Sequence, residues 1–147
     1  LPALKTSMKI ALAETEADIA RCYPVMVELR PHLNAADFPA RVRKQQATGF
    51  HLAYLEEAGA VCAVAGFRYL ETLAWGKILY VDDLVAAEAM RSRGHGGKLL
   101  DWLVAQAKQN HCDEFHLDSG VQRFGAHRFY LAHRLDITSH HFALKLK

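Results

Sequence analysis

The strongest constraint on the fold is a strand, a glycine-rich turn and a helix that follow one another in the second half of the chain. Residues 77–85 are rich in β-branched and aromatic side chains, a composition typical of strands. After the turn, Leu99, Leu100, Leu103 and Ala107 recur at the spacing that places them on one face of a helix. These elements predict a helix that packs against a sheet containing the strand.

The first half of the chain begins with a short strand that is followed by two helices. Residues 9–13 have the pattern of a strand, and Thr15 with Asp18 resembles a capping box at the start of a helix. Pro24 lies inside the helical repeat, which predicts a bend or an interruption there. A second helix is predicted for residues 37–46.

The remaining segments predict further strands and one more helix. Two strand-like runs, at residues 50–56 and 61–70, are joined by a short turn and predict a hairpin. Strands are also predicted for residues 115–119 and 137–146, and a helix for residues 126–133. A hairpin followed by helix-and-strand units predicts the α/β (α+β) class, with a mixed, largely antiparallel sheet flanked by helices.

Length and composition indicate one globular domain. The chain has 147 residues, which predicts a single domain over residues 1–147. Hydrophobic residues make up 51% and charged residues 23%, the balance of a globular protein and not of a disordered one. No apolar run approaches the roughly 20 residues that cross a bilayer, and residues 1–7 are too short for a signal peptide. With three widely spaced cysteines, these features predict a reduced, cytoplasmic environment.

The turn after the strand at residues 77–85 has the chemistry of a phosphate site. Arg91, Arg93 and Lys98 place positive charge where glycines open the helix, and a helix start offers unpaired N–H groups to an anion. A Walker A loop needs Ser or Thr where Leu99 stands, and a G-x-G-x-x-G fingerprint needs Gly there. What remains is a different phosphate loop, or a tight turn before a solvated basic helix.

Arg91, Gly94 and Gly96 fit the pattern R-x-x-G-x-G, and with this motif the chain resembles the GCN5-related N-acetyltransferase (GNAT) family. The resemblance implies acetyl-CoA as co-substrate and a sheet whose strands before and after the long helix splay apart around it. It also implies that the backbone near Leu84 and Val85 pairs with the pantetheine arm, and that loop amides hold the pyrophosphate. The cofactor-binding residues so implied are Leu84, Val85, Arg91, Arg93, Gly94, His95, Gly96, Gly97 and Lys98.

A later segment resembles the A-x-x-[FL]-Y element of the same family, with Ala126, Phe129 and Tyr130 at the matching positions. The resemblance implies that Tyr130 protonates the departing thiolate. The residue alone also allows an ordinary half-buried aromatic with a hydrogen-bonded hydroxyl. Arg123 stands where the family often has Asn, which puts the usual contact to pantetheine in question. The pair at 134–135 replaces a frequent Gly-Phe and suggests a single terminal strand instead of a final hairpin.

Two acidic residues, Asp82 and Asp83, lie near the end of the predicted central strand. An amine with a pKa of roughly 10.4 must lose a proton before it attacks, and a carboxylate can accept that proton, also through water. Residues 76–83 resemble the corresponding strand of polyamine-type members of the family, in which the first acidic residue is a proposed base; this implies Asp82. Strand alternation predicts that the two carboxylates face opposite ways. Each could instead be structural, paired with an arginine.

Two further groups of residues could belong to a site. Ser119 and Arg123 follow the strand at residues 115–119 and are assigned to the same cofactor cleft, although Ser119 could instead cap a turn. His111, Cys112 and His116 could in principle bind zinc, but no second ligand pair completes a familiar spacing, so no metal is expected.

The prediction is therefore an acetyl-CoA-dependent N-acyltransferase that acetylates a primary amine of a small molecule or a peptide. The alternative is a non-catalytic acyl-CoA-binding sensor or regulatory module, which would share the loop but not the acid and base. A nucleic-acid partner is not expected, because the formal net charge is only +2 and the basic residues cluster around one short loop. No membrane partner is expected either, and a homodimer is left open.

Overall fold

The computed structural model describes residues 7–147, so the expectation for residues 1–7 falls almost wholly outside the described part. Within it, strands and helices alternate along the chain. In order they are β1 (Met8–Leu12), α1 (Glu16–Leu29), α2 (Phe38–Gln46), β2 (Phe50–Glu57), β3 (Ala60–Thr72), β4 (Gly76–Ala86), α3 (His95–Gln109), β5 (Glu114–Leu117) and α4 (Phe124–Ala132). A short 3-10 turn, Glu88–Met90, separates β4 from α3.

Most predicted elements lie within two residues of the observed ones. Of the two outcomes expected at Pro24, a bend or an interruption, the interruption does not occur. Helix α1 is not interrupted at Pro24, which lies inside it. The missing proline N–H removes one helical hydrogen bond, while Ile19, Cys22 and Met26 are at most 3% exposed and anchor the helix on both sides of it. Thr15 caps this helix as expected, since its hydroxyl accepts a hydrogen bond from Asp18 N at 3.1 Å.

One expectation is wrong: the terminal strand predicted for residues 137–146, which belong to no strand or helix. Phe142, Leu144 and Leu146 alternate as in a strand but are 92%, 84% and 87% exposed. A strand needs a neighbour that accepts its hydrogen bonds, and no strand in residues 7–147 pairs with this segment. Alternation alone therefore gave a false signal.

The five strands form one sheet in the order β1-β2-β3-β4-β5. The first four strands pair antiparallel, each with the next one along the chain. Asp113 N, just before β5, donates to the carbonyl oxygen of Lys77 near the start of β4 at 2.7 Å. The two strands thus start at the same edge and run parallel, which confirms the mixed, largely antiparallel sheet.

Helices cover both faces of the antiparallel part of the sheet. On one face, α1 and α2 pack against alternate residues of β2, and Phe50, Leu52 and Tyr54 belong to the same buried cluster as Ile19 and Phe38. The other face carries α3, which contacts β2, β3 and β4. Its predicted apolar face is confirmed by the burial of Leu99, Leu100, Leu103 and Ala107.

The chain divides into two compact units, one up to His116 and one from Leu117. The first unit contains β1 to β4 and α1 to α3, with most of β5. The second contains α4 and the terminal segment. The single domain predicted for residues 1–147 stays a prediction. No helix in residues 7–147 combines the length and the apolar character needed to cross a lipid bilayer.

Candidate functional site

A β-bulge in β4 determines where the two predicted acidic residues point. In the pairing of β3 with β4, Phe67 lies opposite Val81 and Gly66 lies opposite Asp83, so Asp82 is the extra residue. A bulge interrupts the alternation of side chains along a strand. Asp82 and Asp83 consequently line the same cavity. The expectation that they face opposite ways is wrong, because it assumed a regular strand.

Asp82 is held by a single arginine from the neighbouring strand. Arg68 Nε donates to both carboxylate oxygens of Asp82 at 3.0 and 3.1 Å, and Arg68 Nη2 donates to Oδ2 at 2.6 Å. The hydrogen bonds to Asp82 raise the pKa of Arg68. The same Nη2 lies 3.4 Å from Oε1 of Gln45 on α2. Both oxygens of Asp82 are therefore engaged, which matches the structural alternative weighed for this residue.

Only one carboxylate oxygen of Asp83 accepts a hydrogen bond from an arginine. The Asp83 side chain is also less exposed than that of Asp82. Arg30 Nε donates to Asp83 Oδ1 at 2.8 Å, and Arg30 Nη2 donates to the backbone oxygen of Asp82 at 3.0 Å. Burial raises the pKa of the Asp83 carboxyl, and the hydrogen bond and charge of Arg30 offset part of that rise. The Asp83 carboxylate is therefore more basic than that of an ordinary exposed aspartate.

Gly66 lets Asp83 and Phe50 approach the strand closely. A Cβ at this position would lie 2.5 Å from the Phe50 ring and 2.7 Å from Asp83 Oδ2, far inside van der Waals contact. Any larger residue would displace one of these two side chains. Gly66 is thus required by the packing that positions the Asp83 carboxylate.

The cavity above the bulge has a volume of about 430 Å³, within the range typical of small-molecule sites. It opens between the end of α1, helix α2 and strands β2 and β4. Its charged lining consists of Arg30, Arg41, Asp82 and Asp83. Its apolar wall is formed by Met26, Leu33, Phe38, Val42, Phe50 and Leu52.

Sequence reasoning did not single out the three arginines of this region. Arg68 and Arg30 are found only through the partners that the fold brings to them. Arg41 carried a usable signal, because Phe38, Arg41 and Gln45 lie three and four residues apart along α2 and so share one helix face. A cation and an amide on an otherwise apolar helix face could have marked that face as part of a polar site.

The glycine-rich loop at the start of α3 has the donor set of an anion site. Gly94 caps the helix with φ +76°, a left-handed conformation that favours glycine, and no atom lies within 4 Å of the Cβ position there. The N–H groups of the first helical turn, at His95, Gly96 and Gly97, have no acceptor within the helix. Lys98 N is the first to bond back, to Gly94 O at 3.0 Å.

The basic side chains of this loop are free to meet an anion. Arg91, Arg93 and Lys98 are exposed, and none of them forms an ion pair with any residue in the described range 7–147. Exposed guanidinium and ammonium groups beside free backbone amides suit a pyrophosphate. The residues present therefore fit the phosphate part of the expected co-substrate.

His95 contributes its backbone to this loop, while its side chain is part of the core. The residue is 2% exposed, and its Nε2 donates to Glu57 Oε2 at 2.5 Å. Nδ1 of the same ring is buried and meets no partner in the described part of the chain. The buried ring is not available as a base to solvent, in line with its expected role as a backbone donor.

One cluster has the spacing of metal ligands. Ligand atoms of Glu57, Cys62 and His95 lie within 4.8 Å of one another, and this is the one such group found in residues 7–147. His111, Cys112 and His116, the zinc candidates weighed from the sequence, form no such group there. The direct hydrogen bond between His95 and Glu57 already accounts for the proximity of two of the three ligands.

The far end of β4 carries Leu84 and Val85, the residues expected to pair with pantetheine. They pair with Ala65 and Val64 of β3 on one side. On the other side, β5 has four residues and begins beside Lys77. At about 3.3 Å per residue, β5 spans about 13 Å, whereas Leu84 lies about 23 Å along β4 from Lys77. Strand β5 is thus too short to pair with Leu84 and Val85, as expected for strands that separate.

The remaining predicted residues, Ser119, Arg123 and Tyr130, belong to the second unit. Ser119 Oγ is buried without a hydrogen-bond partner in the described residues. Tyr130 is half-buried on α4, and burial raises the pKa of its hydroxyl, an effect that the charge of Arg123 partly offsets. Their positions relative to the cavity and the loop stay predictions.

We expect the Glu57–His95 hydrogen bond to stabilise the start of α3. Glu57→Ala would leave a buried ring N–H without its acceptor, which costs about 1–3 kcal/mol in the free energy of unfolding. Urea denaturation followed by circular dichroism measures this loss. Glu71→Ala, which removes an exposed glutamate of β3, is the matched control and should change the free energy by less than about 0.5 kcal/mol. Equal effects of the two substitutions would contradict the prediction.

Comparison with known proteins identifies the family for most of the chain. Residues 12–134 match the family model described as the acetyltransferase (GNAT) family. The uncharacterized N-acetyltransferase YhdJ of Bacillus subtilis (strain 168) is 35% identical over 112 residues, which cover 76% of this chain and 79% of that protein.

Solved structures share the fold at low sequence identity. The aminoglycoside N-acetyltransferase AAC(6')-Iy, in complex with CoA, gives a TM-score of 0.83 at 12% identity, covering 99% of this chain and 98% of its own. The ribosomal-protein-alanine N-acetyltransferase of Brucella melitensis biovar Abortus 2308 gives 0.82 at 14% identity, covering 96% and 100%. At these identities the likeness concerns the fold.

Three features indicate an acetyltransferase. The sheet and its helices match acetyltransferase structures, the loop at the start of α3 has the donors of a pyrophosphate site, and the match to the family model spans the strands, the loop and α4. Both the family and the Bacillus relative are described as acetyltransferases, which favours catalysis over a non-catalytic acyl-CoA-binding module. The chain belongs to the GNAT acetyltransferase family and is an acyl-CoA-dependent N-acetyltransferase.

Proposed function

We propose that this enzyme acetylates the primary amine of a small molecule that binds in the cavity above the β4 bulge. The observation that carries the proposal is Asp83, a carboxylate of raised pKa that lines this cavity. The volume of about 430 Å³ suits a small acceptor. A peptide that inserts only its amino end is the second candidate from the sequence. An amine panel with acetyl-CoA and detection of the released thiol tests the proposal.

Acetyl-CoA supplies the acetyl group in activated form, as a thioester. In our proposal, the backbone amides of residues 95–97 and the side chains of Arg91, Arg93 and Lys98 hold its pyrophosphate. Leu84 and Val85 offer the unpaired backbone edge of β4 to the pantetheine arm. Ser119 and Arg123 are assigned to the same cleft from the sequence.

The loop assignment predicts that Gly96→Asp weakens CoA binding. The new carboxylate would place bulk and negative charge next to the amides that receive the phosphates. Calorimetric titration should show at least a roughly tenfold loss of affinity, about 1.4 kcal/mol. Ala105→Asp, which adds the same charge at an exposed position farther along α3, is the control. Unchanged CoA affinity in a folded Gly96→Asp protein would overturn the loop assignment.

We assign the base to Asp83 in preference to Asp82, the residue that the family resemblance favoured. Both oxygens of Asp82 accept hydrogen bonds from Arg68, so a proton taken from the acceptor would have to compete with this guanidinium. Oδ1 of Asp83 accepts from Arg30, and a carboxylate whose pKa is raised by burial accepts a proton more readily near neutral pH. Asp83 would take the ammonium proton directly or through a water molecule, and Asp82 would position Arg68.

Asp83→Asn should lower kcat/KM by roughly 10²-fold, because it removes the proton acceptor but keeps the side-chain shape. In the parent enzyme, activity should fall as the pH drops through the raised pKa of Asp83, since only the carboxylate accepts a proton. This decrease at low pH, the acid limb of the pH–rate profile, should disappear in the variant. The matched control is Asp82→Asn, which should retain the limb; a larger loss in this control would return the base to Asp82.

Tyr130 is our proposed acid. Its hydroxyl has a pKa raised above the ordinary value of about 10, so it is protonated at neutral pH. A free thiol has a pKa of about 8.5, so complete proton transfer from Tyr130 is uphill. Much of the benefit would therefore come from a hydrogen bond to sulfur as negative charge develops there.

Tyr130→Phe keeps the ring but removes this proton, and kcat should fall by roughly 10²-fold with CoA affinity unchanged. Acyl donors with more acidic thiols need less help, so they should restore much of the lost rate. Steady-state kinetics with a series of such donors measures this. Phe129→Leu, on the same helix, controls for packing. An equal deficit of Tyr130→Phe with every donor would assign Tyr130 to packing or positioning.

Three remaining expectations complete the proposal. The enzyme works in the cytoplasm, where its free cysteines stay reduced, and the direct transfer requires no metal ion. Two of the three thiols, Cys22 and Cys62, are buried, and burial raises the pKa of Cys22 to about 12. The homodimer left open by the sequence stays a prediction.

A further inference from the structure

The charges of the cavity point to a narrower class of acceptor than a simple amine. We propose that the acceptor carries an anionic group, a carboxylate or a phosphate, in addition to its primary amine, and that Arg41 binds this group. This proposal rests on the proposed function, because it assumes that the acceptor occupies the cavity lined by Asp83 and Arg41.

The carboxylates of the cavity are already matched by arginines of the protein. Asp82 pairs with Arg68, and Asp83 pairs with Arg30. A site built for a bare cation would leave negative charge uncompensated. Here both negative charges are compensated before any acceptor binds, and the guanidinium of Arg41 remains as an additional positive charge.

Arg41 is placed to meet a ligand and not to support the fold. It is exposed on α2 and lines the cavity, and within residues 7–147 it forms no ion pair. It shares a helix face with Gln45, which contacts Arg68 and through it Asp82. One helical turn, about 6 Å, separates Arg41 from Gln45 along α2. The unpaired cation thus stands one turn from the acidic end of the cavity.

The rest of the lining indicates what joins the two charged ends of the acceptor. Phe38, Val42, Phe50 and Leu52 are at most 5% exposed and present an apolar wall between helix α2 and strand β2. A hydrocarbon spacer would bury against this wall, whereas a second ammonium group would meet it unpaired. The cavity therefore suits an amine joined by a short apolar segment to an anion, and disfavours a diamine.

An acceptor panel of matched pairs tests this class. The probes are ω-amino carboxylates of increasing chain length, n-alkylamines of the same lengths, aminoalkyl phosphates, linear diamines and short peptides with a free amino end, each with acetyl-CoA and thiol detection. We expect kcat/KM for the best anionic amine to exceed that of its alkylamine by at least roughly tenfold, with diamines lowest. The carboxylate and phosphate arms show which anion is bound.

Substitution on α2 links any preference to Arg41. Arg41→Gln should raise KM for the anionic amines by roughly tenfold and raise KM for the alkylamines much less. Arg41→Lys should retain part of the preference. Arg43→Gln is the matched control, because Arg43 is exposed on the same helix but does not line the cavity. Raising the salt concentration should weaken binding of the anionic amines only, since it screens exposed charge pairs.

Every outcome decides between the two proposals. Alkylamines or diamines that match the anionic amines would overturn the anion proposal and leave the proposed function standing. Equal effects of Arg41→Gln and Arg43→Gln would also overturn the role of Arg41. Acetylation of peptides alone would overturn the small anionic acceptor. Absence of thiol release with every amine and peptide, in a protein that binds CoA, would overturn the proposed function itself.

Discussion

The extra residue in β4 is the constraint on which the site depends. Because Asp82 has no position of its own opposite β3, the residues after it are shifted by one with respect to the faces of the sheet. Asp83 thereby joins Asp82 on the side of α1 and α2, and Val85 packs against the cluster formed by those helices. A regular β4 would have turned Asp83 towards α3 and left a single carboxylate at the cavity. The bulge also increases the local twist of the strand, at the point beyond which β5 is too short to pair with it.

The bulge brings two carboxylates together, and the arginines around them make this arrangement tolerable. Two like charges at one site make it more costly for each carboxyl to stay ionised, and Arg68 and Arg30 offset this cost by binding one carboxylate each. They do so unequally: Arg68 engages both oxygens of Asp82, while Arg30 shares its donors between Asp83 and the backbone oxygen of Asp82. Such pairs of titratable groups in different environments are how one site assigns different roles to similar residues.

The features that the sequence predicted correctly are those that depend on the local period of the side chains. The bounds of the strands and helices follow from side-chain period and from caps such as Thr15, and these are properties of neighbouring residues. It did not predict the bulge, because nothing in the run around Asp82 and Asp83 marks an irregular strand; a bulge reflects a mismatch in residue count between two strands. The partners Arg30 and Arg68 lie 53 and 14 residues away along the chain from the carboxylates they bind, and only the fold pairs them. The terminal segment shows the opposite error. Its side chains alternate as in a strand, but no strand in the described residues pairs with it.

In the glycine-rich loop, the backbone and the side chain of one residue have different roles. At His95 the backbone N–H belongs to the open first turn of α3, while the ring lies in the core against Glu57. The residue between the two glycines of R-x-x-G-x-G is therefore a packing position, and its side chain anchors the amides at which we propose that the phosphates bind. A bulky buried ring there restrains the helix start in a way that glycine could not. Pre-organised donors lose less entropy on binding than mobile ones, so in our proposal the buried His95 ring would favour cofactor binding by fixing the backbone amides of the loop.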